Sequence, residues 1–576
     1  MEQRGAIIVS ELREIQHKFG FLPLEELRAL STRLGVPVYQ LHAVASFFPH
    51  FRLHPPAPVE VRVCADMSCH LNGARSLLAA FQTEAGRVPG MDVQTASCLG
   101  RCDRAPAAAI GEHIIESVSA DEVPDLVLSA ADGKLAPRPR IAAQPTALRS
   151  DPYAGTPRYE AVQQFVTNPD VERVLGTLKA AGLRGMGGAG FPAADKWRYV
   201  RQASGDVKYI VCNADESEPG TIKDRFIMES VPHLLLEGMT MAGLVTGARQ
   251  GYIYLRHEYE TCKESLEHAI HEARQKGVLG PQVMGSSQSF DIELFISPGG
   301  YICGEESALL EAMEGRRGEP RNKPPFPVTH GLYNQPTVIN NVETLAFVPM
   351  ILLKGPDWVK AQGQNGGSGL KFVGISGHVV RPGVYEVPMG IRARDLIYDL
   401  AGGLRKGRAL KGWAPSGPSS GYLPPSMIDL PLEWDALAKA GSMLGSGAVV
   451  VMSEGTCMLD MALNAVRFFR NESCGKCVPC RVGTPKLVEL LTRATRGQAG
   501  PDDLATIEDL DQAMRLASIC GLGQIAAKPL TSVIQHFRDE VDEHIVRQRC
   551  PAGVCPMDAA AAAADRDLTV TIMRRL

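Results

Sequence analysis

The segment ESCGKCVPCRVGT, residues 472–484, constrains this chain more than any other. It sets Cys474, Cys477 and Cys480 at C-x2-C-x2-C spacing. Two intervening residues let each thiolate turn toward a shared metal centre. Gly475 and Gly483 let the backbone come close and aim N–H groups at sulfide. A four-iron cube takes four thiolates. Cys520, in SICGLG and also beside glycine, is the candidate fourth. Zinc and coincidental core thiols are the competing readings. Three cysteines in seven residues argue against coincidence, and zinc sites favour paired C-x2-C groups.

The chain has 14 cysteines, and a second set lies near its start. Cys64-x4-Cys69 and Cys98-x3-Cys102 each follow a strand-like run, VEVRVC and MDVQTASC. Two thiolates per iron from two such pairs suit a two-iron, two-sulfur cluster. Zinc is again the alternative, although x4 and x3 gaps are unusual for a zinc ribbon. Cys212, Cys262, Cys303 and Cys457 stand alone in apolar surroundings and read as small hydrophobes. Cys550 and Cys555 in RCPAGVCP are two ligands without a site and receive no role.

Composition narrows the classes. The 576 residues are 45% hydrophobic and 22% charged, ordinary globular values that exclude fibrous and wholly disordered readings. The net charge of −4 makes no case for a nucleic-acid stripe or a polybasic membrane arm. No run approaches the ~18 apolar residues of a membrane span. MEQRGAIIVSELREIQHKFG lacks the apolar core of a secretory signal, so a cytoplasmic location is expected, where clustered thiols are metal or redox groups more often than disulfides.

The length calls for several domains. Residues 1–132 read as helices followed by a small α/β unit with cysteines at its strand ends. The Pro- and Arg-rich stretch 133–158 reads as a linker. Across 159–360 strands alternate with helices, the rhythm of a parallel sheet whose ligands sit at the carboxyl ends of its strands. Residues 365–445 are β-rich and read as a β-grasp module. Residues 446–550 read as a helical domain around the cysteine triplet, and 551–576 as a C-terminal tail with an Ala-rich stretch at 559–564.

GLRGMGGAGFPAADKW, residues 182–197, offers a backbone nearly free of side chains, with a helix expected from near Phe191 to present N–H groups to phosphate. It is not a G-x-G-x-x-G fingerprint, and a plain turn reads as well on this segment alone. Four polar loops further along the chain add weight. NADESEPGTIKDR places Asn213, Asp215, Glu216 and Glu218 after a strand. YICGEES places Glu305 and Glu306 after another, RNKPPFP carries Lys323 and Phe326, and INNVETL carries Asn340 and Asn341. Carboxylates and amides suit sugar hydroxyls and the polar edge of a flavin, lysine suits phosphate, and aromatics stack on planar rings. A merely solvated acidic loop is the bland alternative.

GLRGMGGAGFP, CNADESEPG, CGEE, INNVETL and ESCGKCVPCRVGT, in this order, resemble the FMN- and NADH-binding flavoprotein subunit of respiratory complex I. They also resemble the diaphorase subunits of soluble NAD-linked hydrogenases and formate dehydrogenases. The resemblance covers roughly 160–550. Residues 1–125, through KFGFLP, LGVP and VASFFPHF, resemble the small two-iron subunit of the same module, on a thioredoxin-like fold.

The resemblance implies an α/β multidomain chain: a thioredoxin-like [2Fe-2S] domain, a Rossmann-like FMN/NADH domain, a β-grasp module and a C-terminal helical bundle with [4Fe-4S]. It implies flavin contacts at Gly185, Gly187, Gly188, Lys196, Asn213, Asp215, Glu216, Gly304, Glu305, Asn340 and Asn341. Phe191, Glu218, Glu306, Lys323 and Phe326 match positions that hold the nicotinamide nucleotide, and Tyr199 stands where the family has an aromatic. Two departures stand out: Met186 replaces an arginine, and the 28-residue gap between Cys69 and Cys98 is short.

Nicotinamide exchanges electrons in pairs and iron–sulfur clusters singly, and a flavin does both. The expected cofactors are therefore FMN, NAD, a [4Fe-4S] and a [2Fe-2S] cluster, with no side chain as acid–base catalyst. No site for a second substrate is recognisable in the sequence, so a partner is expected. The fused architecture most resembles the β subunit of soluble NAD-dependent formate dehydrogenases, which implies a molybdenum- or tungsten-containing α subunit. A hydrogenase, an aromatic reductase and a respiratory complex are the alternatives.

Overall fold

The computed structural model describes residues 3–135 and 147–557. The Ala-rich stretch 559–564 and residues 136–146 of the expected linker lie outside the described residues.

Three amphipathic helices, Gln3–Phe19, Leu24–Leu34 and Val38–Phe47, precede the first sheet. The second ends at Gly35, whose φ of +65° supplies the left-handed turn that terminates it. The sheet is formed by β1 (Val59–Cys64), β2 (Met91–Ala96), β3 (Ala108–Ile110) and β4 (His113–Ile115), in the order β2-β1-β3-β4. β1 and β2 are parallel and β1 and β3 antiparallel, the thioredoxin-like arrangement the sequence implied.

The second sheet contains β5 (Tyr209–Ala214), β6 (Gln250–Arg256), β7 (Asp291–Ser297) and β8 (Thr337–Asn341). Its order is β7-β6-β5-β8, and all pairs are parallel. The helix Pro232–Thr246 is buried along nearly its whole length against this sheet. Its Gly238 is required there, because a Cβ would lie 1.9 Å from the Leu345 carbonyl oxygen of the crossing helix Val342–Lys354.

The third sheet orders β9 (Leu370–Gly377), β10 (Gly383–Pro388), β11 (Leu410–Ala414) and β12 (Ala448–Ser453) as β10-β9-β12-β11. β12 lies beyond the expected boundary at 445, within the region expected to be helical, so the β-module extends to about residue 453. The helices Met458–Glu472, Val478–Thr495, Asp502–Ala517, Gly521–Ile525, Lys528–His536 and Arg538–Ile545 follow.

The described end of the expected linker is docked. Glu386 accepts from the N–H groups of Arg149 (2.7 Å) and Ser150 (2.8 Å), and the Tyr153 hydroxyl donates to Glu237. The helix Met458–Glu472 joins the domains. Asp460 pairs with His70 (2.7 Å) and Arg75, while Asn464 accepts from Met67 N (2.8 Å) and donates to Ala65 O (2.7 Å). Among the described residues no helix is long and apolar enough to cross a membrane.

Candidate functional site

The chain leaves β5 toward β6 and β7 on one side, while β8 pairs on the other. Such a switch point opens a crevice at the carboxyl ends of the strands. Asn213 and Asn341 are register partners there. The glycine loop covers this end. Gly185 N donates to Phe191 O at 2.9 Å and Gly190 N to Gly185 O at 3.2 Å, a tight reversal with Gly188 at φ +125°. A Cβ on Gly187 would lie 3.1 Å from Asn341 Cβ, so the loop rests directly on the end of β8. The following helix starts at Ala193, just past Pro192, two residues later than expected.

Two lysines and two carboxylates converge at the crevice. Glu305 Oε2 accepts from the N–H groups of Ser307 and Ala308 (2.9 Å each), capping the helix Glu306–Met313. Lys323 Nζ donates to Glu305 (2.8 Å) and Glu306 (2.9 Å). Lys196 Nζ donates to Ile339 O (3.0 Å) and Glu306 (3.3 Å). Burial works to raise the Glu306 carboxyl, but Lys196 and Lys323 outweigh it and hold it below its usual range.

Asn213 donates to Gly304 O at 2.8 Å and accepts from Asp215 N at 3.2 Å. Asp215 is 2% exposed, and burial pushes its carboxyl well up. Its Oδ1 has no hydrogen-bond partner among the described residues, while a Cβ on Gly304 would lie 3.9 Å from its Oδ2. Glu218 accepts from Ser419 N at 3.0 Å, and burial raises its carboxyl. Phe191, Tyr199 and Phe326 are 45%, 49% and 53% exposed, with the first two rings 6.5 Å apart.

Three expected contact residues have scaffold duties. Glu216 is buried with its carboxylate accepting from the N–H groups of Asp224 (2.7 Å) and Arg225 (2.9 Å) and from the Tyr259 hydroxyl (2.9 Å). Asn340 accepts from the Trp197 indole at 2.8 Å. Asn341 caps the helix Val342–Lys354 through Glu343 N (3.0 Å) and accepts from the buried Lys223 at 3.1 Å. Met186 is buried in the core, its N–H donating to Thr344 Oγ1 at 2.8 Å.

Two cysteine sets adjoin the loops of the crevice. Cys64, Cys69, Cys98 and Cys102 are all at most 5% exposed, and Cys98 and Cys102 stand 3.4 Å apart. Gly100 N donates to Cys98 Sγ at 3.4 Å, and Gly220 N donates to Cys102 Sγ at 3.2 Å. Gly220 belongs to the same loop as Glu218. In the second set, Cys474, Cys477 and Cys480 face the turn at Cys520, where a Cβ on Gly523 would lie 3.0 Å from Cys480 Cβ. Ser473 Oγ is 3.2 Å from Cys480 Sγ. Burial pushes the Cys474 thiol up to about 11 and the Cys480 thiol to about 12, and the neighbouring thiols add to both rises. Such thiols ionise when a metal replaces the proton, so both sets fit thiolate-bound clusters.

Tyr301 bridges the regions. Its N–H donates to Glu472 at 2.8 Å, its hydroxyl is 3.4 Å from Ser419 Oγ, and its ring packs edge-on against Phe468 at 5.0 Å. A cavity of about 990 Å³ is bounded by Cys98, Ser217, His257, Tyr301, Arg470 and Cys474, and so reaches both cysteine sets and the loops that lead into the crevice. None of the residues expected to hold flavin or nucleotide lines it.

Comparison with known proteins agrees with this geometry. Residues 178–350 match the Nuo51 FMN-binding domain, 460–544 the NADH-ubiquinone oxidoreductase-F iron–sulfur binding region, 1–131 the thioredoxin-like [2Fe-2S] ferredoxin, and 372–422 the SLBB domain. The chain is thus an iron–sulfur flavoprotein of the NAD-dependent oxidoreductase class, with FMN, [4Fe-4S] and [2Fe-2S] cofactors. The NADH-quinone oxidoreductase F 2 subunit of Rhizobium meliloti (strain 1021) is 44% identical over 393 residues, 68% of this chain and 93% of that one. NADP-reducing hydrogenase subunit HndC of Solidesulfovibrio fructosivorans is 41% identical over 70% of this chain and 82% of its own. A chain of an NAD+-reducing [NiFe]-hydrogenase in the H2-reduced state superposes with a TM-score of 0.82 at 32% identity, with 93% of both chains covered. This chain belongs to the family of FMN-binding diaphorase subunits that includes the NADH-quinone oxidoreductase F subunits.

The sequence did not point to Ser419, Tyr301 or the Gly220 N–H. Ser419 comes from the β-module and carries no motif. Tyr301 stands two residues before the CGEE motif and carries no signature of its own. Gly220 ends NADESEPG, and its contact with Cys102 joins residues 118 positions apart.

Proposed function

We propose that this chain is the NAD-reducing diaphorase subunit of a soluble, cytoplasmic formate dehydrogenase, working with a molybdenum- or tungsten-containing α subunit. The observation that carries the diaphorase reading is that the loops of the crevice adjoin two cysteine sets. They adjoin Cys102 through Gly220, and they adjoin the 474–480 segment through Tyr301 and Glu472.

In this reading Cys64, Cys69, Cys98 and Cys102 hold the two-iron cluster. Cys474, Cys477, Cys480 and Cys520 hold the four-iron cluster. When bound, FMN supplies the exchange between hydride pairs and single electrons. The glycine loop lets a flat ring approach backbone without steric hindrance. Asp215, buried and lacking a partner at Oδ1, satisfies a polar atom of the flavin. Lys196 and Lys323 hold Glu305 and Glu306 in place, and Glu306 with Glu218 orients the nucleotide's hydroxyls. Phe191, Tyr199 and Phe326 give apolar faces to its rings and exclude water from them. No side chain acts as a proton-transfer catalyst, and the work of the protein is positioning.

The fusion of a thioredoxin-like domain to the flavoprotein supports the formate reading, because it resembles the β subunit of those enzymes. A hydrogenase partner is the second reading, favoured by the match to the NAD+-reducing [NiFe]-hydrogenase chain over 93% of both lengths. Anaerobic co-purification with the native partner, followed by metal analysis, separates them. Molybdenum or tungsten with formate-driven NAD+ reduction is the expected result. Nickel with hydrogen-driven reduction would establish the second reading instead.

A further inference from the structure

Four metal-binding side chains stand together outside both cysteine sets described above. The donor atoms of Cys457, His544, Cys550 and Cys555 all lie within 4.8 Å of one another. Cys457 Sγ is 3.4 Å from His544 Nε2 and 3.5 Å from Cys555 Sγ. Zinc–sulfur bonds of about 2.3 Å in a tetrahedron separate sulfurs by about 3.8 Å, so a small adjustment completes the shell.

The surroundings are built for ligation. His544 Nδ1 lies 2.8 Å from the Glu540 carbonyl oxygen, which can only accept. The ring proton therefore sits on Nδ1, and the Nε2 lone pair faces the thiols, the support a metal-bound histidine normally has. Glu540 is itself fixed, accepting from Met458 N at 2.7 Å and pairing with Lys411 at 2.7 Å. Cys457 and His544 are 1% and 0% exposed. Gly553, at φ +66°, turns the chain between Cys550 and Cys555 so that both thiols meet Cys457. The expectation that Cys457 is a solitary hydrophobe therefore gives way, and the Cys550–Cys555 pair has its missing partners.

We propose that Cys457, His544, Cys550 and Cys555 form a structural zinc site, distinct from the two iron–sulfur sites. A Cys3His set with no open position is a closed structural zinc shell, whereas a four-iron cube takes four thiolates. The metal pins residues 546–557 to the start of the helix Met458–Glu472. That helix is about 22 Å long at 1.5 Å per residue, and Cys474 follows its far end. The zinc thus fixes the frame on which the cysteine triplet is carried and transfers no electrons.

The test uses full-length protein isolated with its flavin and iron. Elemental analysis is expected to find one zinc per chain beside the iron. Zinc K-edge absorption fine structure is expected to show three sulfurs and one nitrogen. In Cys550→Ser and Cys555→Ser, zinc is expected to fall at least tenfold while flavin and iron are retained. Absence of zinc in iron-replete wild type overturns the proposal. So does zinc retained in both variants, a shell lacking sulfur, or a disulfide between any two of the three cysteines. The wild-type measurements decide the question even if both variants fail to fold.

Discussion

The backbone N–H of Gly220 donates to Cys102 Sγ at 3.2 Å, so a loop of the flavin domain touches the thiol of a cysteine in the preceding domain. Hydrogen bonds to cluster sulfurs tune reduction potential. Gly220 sits at φ +101°, and a Cβ there would meet Val450 Cγ2 at 2.9 Å. Gly220→Ala is expected to cost about 1–3 kcal/mol of stability. It is also expected to lower the potential of the two-iron cluster, leaving the four-iron cluster unchanged. A potentiometric titration followed by electron paramagnetic resonance checks this; an unshifted two-iron signal would show that the contact is electronically silent.

Cys520 stands apart in sequence from the triplet it faces. Cys520→Ser is expected to abolish the four-iron resonance and remove its iron and sulfide, with FMN retained. NADH-to-dye reduction is expected to survive in large part, because a dye collects electrons at the flavin. Retention of a full four-iron signal would exclude Cys520 as the fourth thiolate.

Phe191 and Phe326 are about half exposed, so their removal leaves folding nearly untouched, within about 0.5 kcal/mol. Phe191→Ala and Phe326→Ala are each expected to raise the KM for NADH roughly tenfold, about 1.4 kcal/mol of lost stacking. Steady-state kinetics alongside thermal melts separates the two effects. An unchanged KM in both would place the nucleotide elsewhere.

Glu218 accepts from Ser419 of the β-module, so a cation at this position meets a backbone N–H that repels it. Glu218→Lys is expected to reduce NADH-to-dye activity at least tenfold with flavin still bound. Glu218→Gln, which keeps an acceptor, is expected to lose less. Undiminished activity in Glu218→Lys would count against the crevice.

Glu237 and His233 are oppositely shifted groups beneath the docked linker, held by Tyr153 and Tyr159 respectively. Burial raises the Glu237 carboxyl from 4.5 to about 7 and lowers His233 from 6.5 to about 4. A raised carboxyl binds more protons in the folded state, so its contribution is fully present below 4.5 and is lost as pH rises toward 7. A depressed histidine works the other way: its contribution is lost as pH falls from 6.5 toward 4. The two slopes oppose each other where the windows overlap. Glu237→Gln removes the first and retains an acceptor for Ala161 N and Val162 N. The Tm of wild type minus variant is expected to fall by several degrees between pH 4.5 and 7. A flat difference would mean that Glu237 titrates normally.

Local patterns were the legible part. The cysteine triplet, the two N-terminal pairs and the alternating strands and helices each depend on neighbours within a few residues. β12 is not legible in the sequence because AVVVMS is buried on every face and shows no period-two alternation, so it reads as continuous with the apolar face of the helix after it. In NADESEPG all the acidic residues look alike, yet Glu216 caps a helix while Asp215 keeps a bare oxygen. Only the fold assigns those roles. The Cys457 cluster was unreadable for a different reason: its members span 98 positions, and no spacing rule reaches that far.

The thioredoxin-like domain and its preceding helices are seated by the polar contacts of Asp460 and Asn464 and by an apolar cluster in which Leu12, Phe48, Phe51 and Met67 share a core with Leu309 and Met461. A separate polypeptide docking through such contacts would depend on its abundance in the cell. Covalent attachment fixes a one-to-one stoichiometry and raises the effective concentration of the docking partner to about the millimolar range, at which the interface stays closed whatever the abundance of the protein.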